Sequence, residues 1–350
     1  MKTLTRPGAV SVVVGVGLSF AVVPAGPAGA AGETHVRCND VAGLIAAINR
    51  ANSGGGRITL APHCTYTLTT RDNADDGLPE ITGNVTITGR DTTVRRAPNA
   101  AQDFRILHVA PEGRLTVNSL TISGGRLPDF AGGGIWNSGT LKLNRTAVEA
   151  NRAETSGGIH NVGGQLELAG STVERNTATL NGGGIHNGRN QLLDRPGRLT
   201  MKGGSLLKNR ALNDAGGGLE NLRSTAHLAS VTVKGNTAPR GGGINQFAGT
   251  LRLKSTTLSG NIAVTGGGLR NSFSTASLVR SSVTRNTAIT AGGGIFNENS
   301  SSVTLDAGRV VRNSPDNCSP EGSVPGCTNP TGTGTPQNSA SPSKGGKGRK

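Results

Sequence analysis

The pentapeptide Gly157-Gly158-Ile159-His160-Asn161 (GGIHN) decides the fold, because close variants of it recur along the chain. Seven copies of the pattern Gly-Gly-aliphatic-x-Asn/Gln begin at residues 133, 157, 183, 217, 242, 267 and 293. Their aliphatic residues are 24, 26, 34, 25, 25 and 26 residues apart. A period of this length is typical of repeat proteins, in which every unit packs on its neighbours.

Each repeat carries two further short segments with alternating hydrophobicity, such as Leu141-Lys142-Leu143 and Thr146-Ala147-Val148. Alternation is the pattern of a strand with one face on the core. Each repeat therefore predicts three strands and three turns, which form one coil of a triangular solenoid. With coils stacked at ~4.8 Å, the seven repeats and about three irregular coils before them predict a rod roughly 50 Å long.

Asparagine recurs at two positions of the repeat, so stacked coils would place it in two columns. A side-chain amide donates and accepts, and can therefore bond to its copies above and below. We interpret these residues as structural ladders, and the glycine pairs as turns that need positive φ or close backbone approach. The first ladder comprises Asn137, Asn161, Asn187, Asn221, Asn271 and Asn297, and the second Asn151, Asn176, Asn209, Asn236, Asn261, Asn286 and Asn313.

A third column is the one candidate functional feature of the repeats. The residue before the first ladder position runs Trp136, His160, His186, Glu220, Asn245, Arg270 and Phe296. We expect these side chains to point outward, with Trp136, His160, His186, Glu220 and Arg270 as candidate binding residues. One interpretation is an edge for a metal ion or an acidic sugar, and the other is a row of solvated side chains. The sequence identifies no catalytic residues and no metal ligands. It indicates no cofactor, and the alternative is a bound calcium or zinc ion.

Both ends of the stack need a cover, because open strand edges invite aggregation. Residues 40–51 have apolar side chains at helical spacing after Asn39 and Asp40, which predicts a short capping helix. Residues 31–125 are the cap and irregular coils, 126–314 the regular repeats, 315–327 a C-terminal loop and 328–350 a disordered basic tail. Since bridged cysteines must be close in space, the stack predicts the disulfides Cys38–Cys64 and Cys318–Cys327.

The N-terminus predicts export. Lys2 and Arg6 precede an apolar run over 10–23 and the small residues Ala28-Gly29-Ala30, which is the pattern of a signal peptide over residues 1–30. We expect a secreted, monomeric protein without a transmembrane segment. Its net charge of +15 favours polyanionic partners, among them acidic polysaccharides. The side chains that would supply such a surface are Arg145, Lys208, Lys234, Lys254, Arg280, Arg285 and Arg312.

The paired motifs over about residues 110–313 resemble the repeats of polymorphic outer-membrane proteins and, more broadly, right-handed β-helix proteins with a pectate-lyase-like fold. The segment from Cys38 to Leu68 is similar to secreted bacterial β-helix proteins. One departure is that Val or Leu stands where Phe is expected before the second Asn. The resemblance implies an all-β protein, a single-stranded right-handed parallel β-helix with a short N-terminal capping helix.

Three functions remain open from the sequence. The first is a non-catalytic extracellular protein that binds an acidic polysaccharide or another polyanion; no specific nucleic-acid motif is present. The second is a polysaccharide lyase or glycoside hydrolase, with a site near the loop 188–197 that the 34-residue interval adds. Its weakness is a scarcity of acids in the repeats, the only adjacent pair, Asp75-Asp76, falling in a polar N-terminal loop. The third is a structural rod or spacer.

Overall fold

The molecule is a parallel β-solenoid of about 11 turns with one helix, which confirms the predicted fold class. This computed structural model describes residues 32–298 and 300–330. The predicted signal peptide, 1–30, and the last twenty residues of the predicted tail lie outside the described residues. The handedness of the coil remains a prediction. Within the described ranges, no helix has the length and apolar character needed to cross a membrane.

The capping helix spans Val41–Gly54 and begins where the sequence predicts. The Asp40 side chain accepts a hydrogen bond of 2.8 Å from the backbone N–H of Gly43, which satisfies a free donor of the first turn. Leu44, Ala47, Ile48 and Ala51 are buried against the first strands. The helix runs three residues beyond the predicted end at 51, until Gly55 with φ +74 stops it.

Most strands belong to one parallel sheet of 19 strands, called here the large sheet, in which each regular coil supplies two strands separated by a bend. Its strands in the cap and irregular coils are Glu33–Val36, Gly56–Leu60, Thr65–Leu68, Asn84–Arg96 and Arg114–Ser123. Those of the repeats are Thr140–Asn144, Ala147–Glu149, Gln165–Ala169, Thr172–Glu174, Arg198–Lys202, Ser205–Leu207, Thr225–Ala229, Thr232–Lys234, Thr250–Lys254, Thr257–Ser259, Thr275–Val279, Ser282–Thr284, Ser302–Asp306 and Arg309–Val311.

The Gly-Gly-aliphatic motifs form a second parallel sheet, called here the nine-stranded sheet. Its strands are Leu107–Val109, Ile135–Asn137, Ile159–Val162, Ile185–Gly188, Leu219–Leu222, Ile244–Phe247, Leu269–Ser272, Ile295–Asn297 and Cys318–Ser319. Two short sheets give several coils a fourth strand, in addition to the three that the sequence predicts. They consist of Arg126–Ala131, Arg152–Thr155, Thr177–Ala178 and Arg210–Ala211, and of Ile262–Thr265 and Thr287–Ala291.

Successive repeats pair in the register that the motif predicts. Ile159 lies opposite Ile135 and Ile185, and Asn161 lies opposite Asn137 and Asn187. The aliphatic residues of all sheets form one buried core. Both predicted Asn columns are buried within the coil as well.

The second Asn column forms an unbroken hydrogen-bonded ladder from Asn151 to Asn313. Each side-chain Nδ2 donates to the Oδ1 of the next Asn at 2.9–3.1 Å. The same Oδ1 accepts the backbone N–H of the preceding Asn. Asn317 continues the ladder beyond the last repeat. Buried amides that are satisfied in this way cost little and fix the register.

The first Asn column is interrupted once. Asn137, Asn161, Asn187 and Asn221 each donate to the next residue at 2.6–2.7 Å, and the last acceptor is Gln246. The Gln246 Nε2 and the Asn271 Oδ1 then have no hydrogen-bond partner in the described chain. The ladder resumes between Asn271 and Asn297 at 2.9 Å. The longer glutamine side chain marks the break.

Glycines allow both close backbone approach and positive φ, as the sequence predicts, but at different positions of the repeat. A Cβ on Gly134 would lie 2.7 Å from the carbonyl oxygen of Gly158 and 2.9 Å from the Asn151 Nδ2, so the pair permits close approach of neighbouring coils. Positive φ belongs to the residue before the pair, which is Gly132 in the first repeat with φ +72. In the second repeat Ser156 takes this position with φ +57.

Both predicted disulfides are present. Cys38 and Cys64 have Cα atoms 5.6 Å apart, and Cys318 and Cys327 have Cα atoms 6.3 Å apart. The predicted loop 315–327 contains a strand, because Cys318–Ser319 pairs with Ile295–Phe296. The folded chain also passes the predicted boundary at 328, since the Asn329 side chain accepts from the backbone N–H of Cys318 and donates to its carbonyl oxygen.

Replacing Asn209 by Ala tests the ladder. The change removes the acceptor of the Asn176 backbone N–H and one of the two acceptors of the Asn176 Nδ2, and it removes a donor to the Val173 carbonyl. At ~1–3 kcal/mol for a buried unsatisfied group, the free energy of unfolding should fall by about 2 kcal/mol. Denaturant unfolding measures it, with the exposed Thr250→Ala as the control, which should change the value by less than about 0.5 kcal/mol. Equal effects of the two variants would contradict a structural role of the ladder.

Candidate functional site

The predicted column is assembled in register. Trp136, His160, His186 and Glu220 lie side by side on neighbouring strands, followed by Asn245, Arg270 and Phe296. The column also has a member that the sequence did not reveal, because His108 pairs with Trp136. Its strand lacks the glycine pair and carries Val109 at the Asn position, so only the alternation Leu107-His108-Val109 could have indicated it.

The expectation that this column is a solvated outer edge is wrong for its centre. His160, His186 and Glu220 are only 8%, 6% and 4% exposed. The two imidazoles are covered by neighbouring rings, since the Trp136 and His160 rings have centroids 4.6 Å apart at a tilt of 53°, and those of His160 and His186 are parallel within 14° at 5.0 Å. Of the candidate binding residues, Trp136 and Arg270 remain partly exposed.

The two stacked histidines are held in their neutral form. Burial lowers the pKa of His160 well below its usual value, and His186 and Arg105 lower it further by charge repulsion. Burial alone lowers the pKa of His186 to about 4. The Nδ1 of His160 lies 2.9 Å from the Ser156 hydroxyl. The Nδ1 of His186 has no hydrogen-bond partner among the residues described, and glycine occupies the position equivalent to Ser156.

Glu220 continues the column as a buried acid. Burial raises its pKa to about 8, against the lowering effect of the hydrogen bonds from Asn245. Asn245 Nδ2 donates to both carboxylate oxygens at 3.0 and 3.1 Å, and its Oδ1 accepts from Arg270 at 3.1 Å. Arg270 forms an ion pair with Glu298. The column is thus connected by ring stacking and hydrogen bonds from Trp136 to Glu298, apart from the step between His186 and Glu220.

The geometry of the column does not form a binding site for zinc or calcium. Stacked imidazoles present parallel faces to each other and do not direct their nitrogen lone pairs at one ion. In the described ranges no group of three or more His, Cys, Asp or Glu side chains is arranged to hold a metal ion.

The column opens at its N-terminal end into a cavity of about 310 Å³, called here the tryptophan cavity. The residues that line it are Asn73, Ala74, Asp75, Asp76, Arg105, His108, Phe130 and Trp136. Trp136 is the only tryptophan of the chain, and the Phe130 side chain is 56% exposed. The cavity therefore combines aromatic walls with charged groups.

Arg105 organises the charged wall of the tryptophan cavity. Its guanidinium is 2.6 Å from an oxygen of Asp76 and 3.3 Å from Asp75, and it lies 5.0 Å from the centre of the Trp136 ring. Burial lowers the pKa of Arg105, while Asp76 and Asp75 raise it. Asp76 is only 4% exposed, although the sequence placed it in a polar loop. Its pairing with a residue 29 positions later is not visible in the sequence.

His108 lies between two carboxylates. Its Nδ1 is 3.4 Å from Asp76 and its Nε2 is 3.5 Å from Glu80. The ring contacts Trp136 edge to face, with centroids 5.9 Å apart. The indole Nε1 in turn donates to the Ser138 hydroxyl at 2.8 Å. Packing and polar contacts thus fix the orientation of the aromatic and charged groups before any ligand binds.

Comparisons with protein-family models, with curated proteins and with solved structures found no match for this chain. The resemblance to pectate-lyase-like and outer-membrane repeats therefore remains a prediction, and what is established is the parallel β-solenoid.

His186→Gln should remove a pH dependence of stability. The folded pKa of about 4 lies below the unfolded value of ~6.5, so the wild type loses stability as the pH falls from 6.5 to 4. The difference of 2.5 units corresponds to about 3 kcal/mol. Urea unfolding at pH 7 and pH 4 should show that the variant lacks this loss. The exposed His227→Gln is the matched control and should keep it; parallel pH profiles of wild type and His186→Gln would contradict burial of the imidazole.

Glu220→Gln should act with the opposite sign. The folded pKa of about 8 lies above the unfolded value of ~4.3, so the wild type loses stability as the pH rises through this interval. The variant has no proton to lose. Its free energy of unfolding relative to wild type should therefore rise by about 4 kcal/mol from pH 4.5 to pH 8. A difference between the two proteins that is the same at both pH values would refute the buried neutral acid.

Proposed function

We propose that the protein is a secreted carbohydrate-binding β-solenoid that holds a sugar unit in the tryptophan cavity without cleaving it. The observation that carries this proposal is the position of Trp136 on the wall of a cavity of about 310 Å³, beside an arginine and two aspartates. The predicted signal peptide and the two disulfides are compatible with an extracellular protein.

The lining of the cavity suits a saccharide. A sugar ring has an apolar face that packs on an aromatic side chain, and Trp136 and Phe130 offer such surfaces. Its hydroxyl groups need donors and acceptors at fixed positions, which Asn73 and Asp75 supply. Because ion pairs already orient Arg105 and Asp75, a ligand would pay little to order them.

An acidic polysaccharide is the favoured polymer. The seven basic side chains singled out in the sequence lie on strands of the large sheet or in the turns that border them. The full chain carries a net charge of +15, which attracts polyanions over a distance, and salt weakens that attraction. The predicted resemblance to β-helix proteins that act on polysaccharides also favours a polysaccharide ligand.

Cleavage of the polysaccharide is a second candidate, and His108 is the observation that favours it. An imidazole held by a carboxylate is a common general acid or base. Glycoside hydrolysis ordinarily needs two carboxyl groups free to act, whereas Asp76 is paired with Arg105. A structural rod without a ligand is the third alternative.

Trp136 itself reports on binding, because it is the only tryptophan of the chain. Oligosaccharides with uronate, sulfate or no charge should be titrated at low and high salt while its fluorescence is recorded. We expect an acidic oligosaccharide to change the emission, with lower affinity at high salt. Phe130→Ala should weaken binding by about tenfold, since an aromatic contact is worth ~1 kcal/mol or more.

Phe273→Ala is the control, because Phe273 is equally exposed, at 61%, and lies outside the tryptophan cavity. It should leave the affinity unchanged. If no oligosaccharide alters the emission or produces heat on mixing, the proposed function is wrong. If the oligosaccharides are shortened and His108→Asn stops this, the protein is an enzyme.

A further inference from the structure

A second cavity, of about 330 Å³, lies beside the loop 188–197 and is called here the arginine cavity. Arg114, Arg195 and Arg198 line it together with Glu112, Thr140 and Gln165. Three guanidinium groups and one carboxylate give these walls a formal charge of +2 (3 − 1). None of the residues that carry charge here belongs to the tryptophan cavity.

The inserted loop folds back on earlier coils to build this cavity. Asn190 and Arg195 exchange two backbone hydrogen bonds of 2.8 and 3.1 Å, which close the loop as a hairpin. Gly163 leaves room for it, since a Cβ there would lie 2.7 Å from the Cβ of Asn190. The Arg195 guanidinium then reaches the carbonyl oxygen of Ser138, which lies two repeats earlier.

The other two arginines come from one column of the large sheet. Arg114, Thr140, Gln165 and Arg198 are successive register partners, so two arginines flank two smaller polar residues. Both are exposed, and neither forms a salt bridge within residues 32–298 and 300–330. Three like charges gathered around one cavity with a single carboxylate repel each other, and an anion between them would relieve that repulsion.

Arg195 provides a second observation. Its Nε is buried, and it has no hydrogen-bond partner in the described part of the chain. A buried donor without a partner costs ~1–3 kcal/mol, and more when it is charged. Guanidinium groups present paired N–H donors that match the two oxygens of a carboxylate, sulfate or phosphate.

We propose that the arginine cavity binds an oxyanion, and that the oxyanion is the acidic group of a glycan whose neighbouring sugar occupies the tryptophan cavity. Ser138 connects the two sites, because its hydroxyl accepts from Trp136 and its carbonyl accepts from Arg195. The link to a glycan rests on the proposed function. The oxyanion site itself does not, since its residues are different and a simple anion can probe it.

The experiment uses the full chain and titrates inorganic sulfate and phosphate by calorimetry, followed by uronate and sulfated oligosaccharides and a neutral one of equal length. Arg198→Gln is the main variant, because this exposed side chain supports no other contact of the fold that the described residues show. Hydrogen bonds to charged groups are worth ~1.5–3 kcal/mol, so its affinity for sulfate should fall about tenfold or more. Arg114→Gln should behave in the same way.

Arg252→Gln is the matched control, an exposed arginine on the same sheet with the same loss of charge. Its affinity for sulfate should stay within about twofold of wild type. The proposal is overturned if sulfate, phosphate and acidic oligosaccharides all fail to bind, or if Arg198→Gln and Arg252→Gln weaken them equally. Whichever acidic oligosaccharide binds more tightly, the uronate or the sulfated one, shows whether the acidic group of the glycan is a carboxylate or a sulfate.

The outcomes separate the two proposals. Sulfate binding that depends on Arg198, without binding of any oligosaccharide, supports the oxyanion site and refutes the carbohydrate function. Oligosaccharide binding that depends on Phe130 but is the same for neutral and acidic chains, with no binding of sulfate or phosphate, supports the carbohydrate function and refutes the oxyanion site.

Discussion

The hydrogen-bonded ladder of buried asparagines is the interaction on which the structure depends. A single coil cannot bury its apolar side chains, so each coil is stable only against its neighbours. Hydrophobic contact alone would tolerate slippage between similar coils, whereas an amide that must bond to the amide above it does not. From Asn151 to Asn313 every step of the column satisfies this condition.

The same register creates the functional face. Once the coils are in register, the residue before each Asn of the first column is aligned too, and the rings of Trp136, His160 and His186 pack against each other in a column. The side chains at the centre of the column bury each other and contribute to the fold. Its N-terminal end, where the regular repeats meet the irregular coils, leaves Trp136 beside Arg105 and His108 in a cavity. The candidate site thus forms where the regular repeats begin.

The sequence predicted what depends on the period. Three strands of each repeat, both amide columns and the capping helix follow from spacing and alternation, and the disulfides follow from the stacking of the coils; the structure confirms them. It adds a fourth short strand to several coils, which the sequence did not predict. The burial of the side chains at the centre of the third column was not predicted. Alternation indicates on which face of the strand a side chain lies, but not whether neighbouring side chains shield it from solvent. A row of aromatic and imidazole rings at one strand spacing covers itself.

What depends on contacts between distant, non-repeated residues could not be predicted. Asp76 looks like a loop residue until Arg105 is placed beside it, and the reach of Arg195 to Ser138 spans 57 positions. The loop 188–197 was predicted as an insertion, and the structure shows it closed as a hairpin, whereas binding there stays a prediction. Its position beside Arg114 and Arg198 depends on contacts between coils that the sequence does not show.

Cysteine cross-linking tests the register of the coils most directly. Thr232 and Thr257 are partners on adjacent coils, so their Cα atoms should be ~4.8 Å apart, within the range of roughly 4.4–6.8 Å that a disulfide spans. Thr232 and Ser282 are two coils apart, at ~9.6 Å. The double variant Thr232→Cys/Thr257→Cys should form a disulfide under mild oxidation, and Thr232→Cys/Ser282→Cys should not. Bridging of the second pair in preference to the first would contradict the stacked register and everything derived from it.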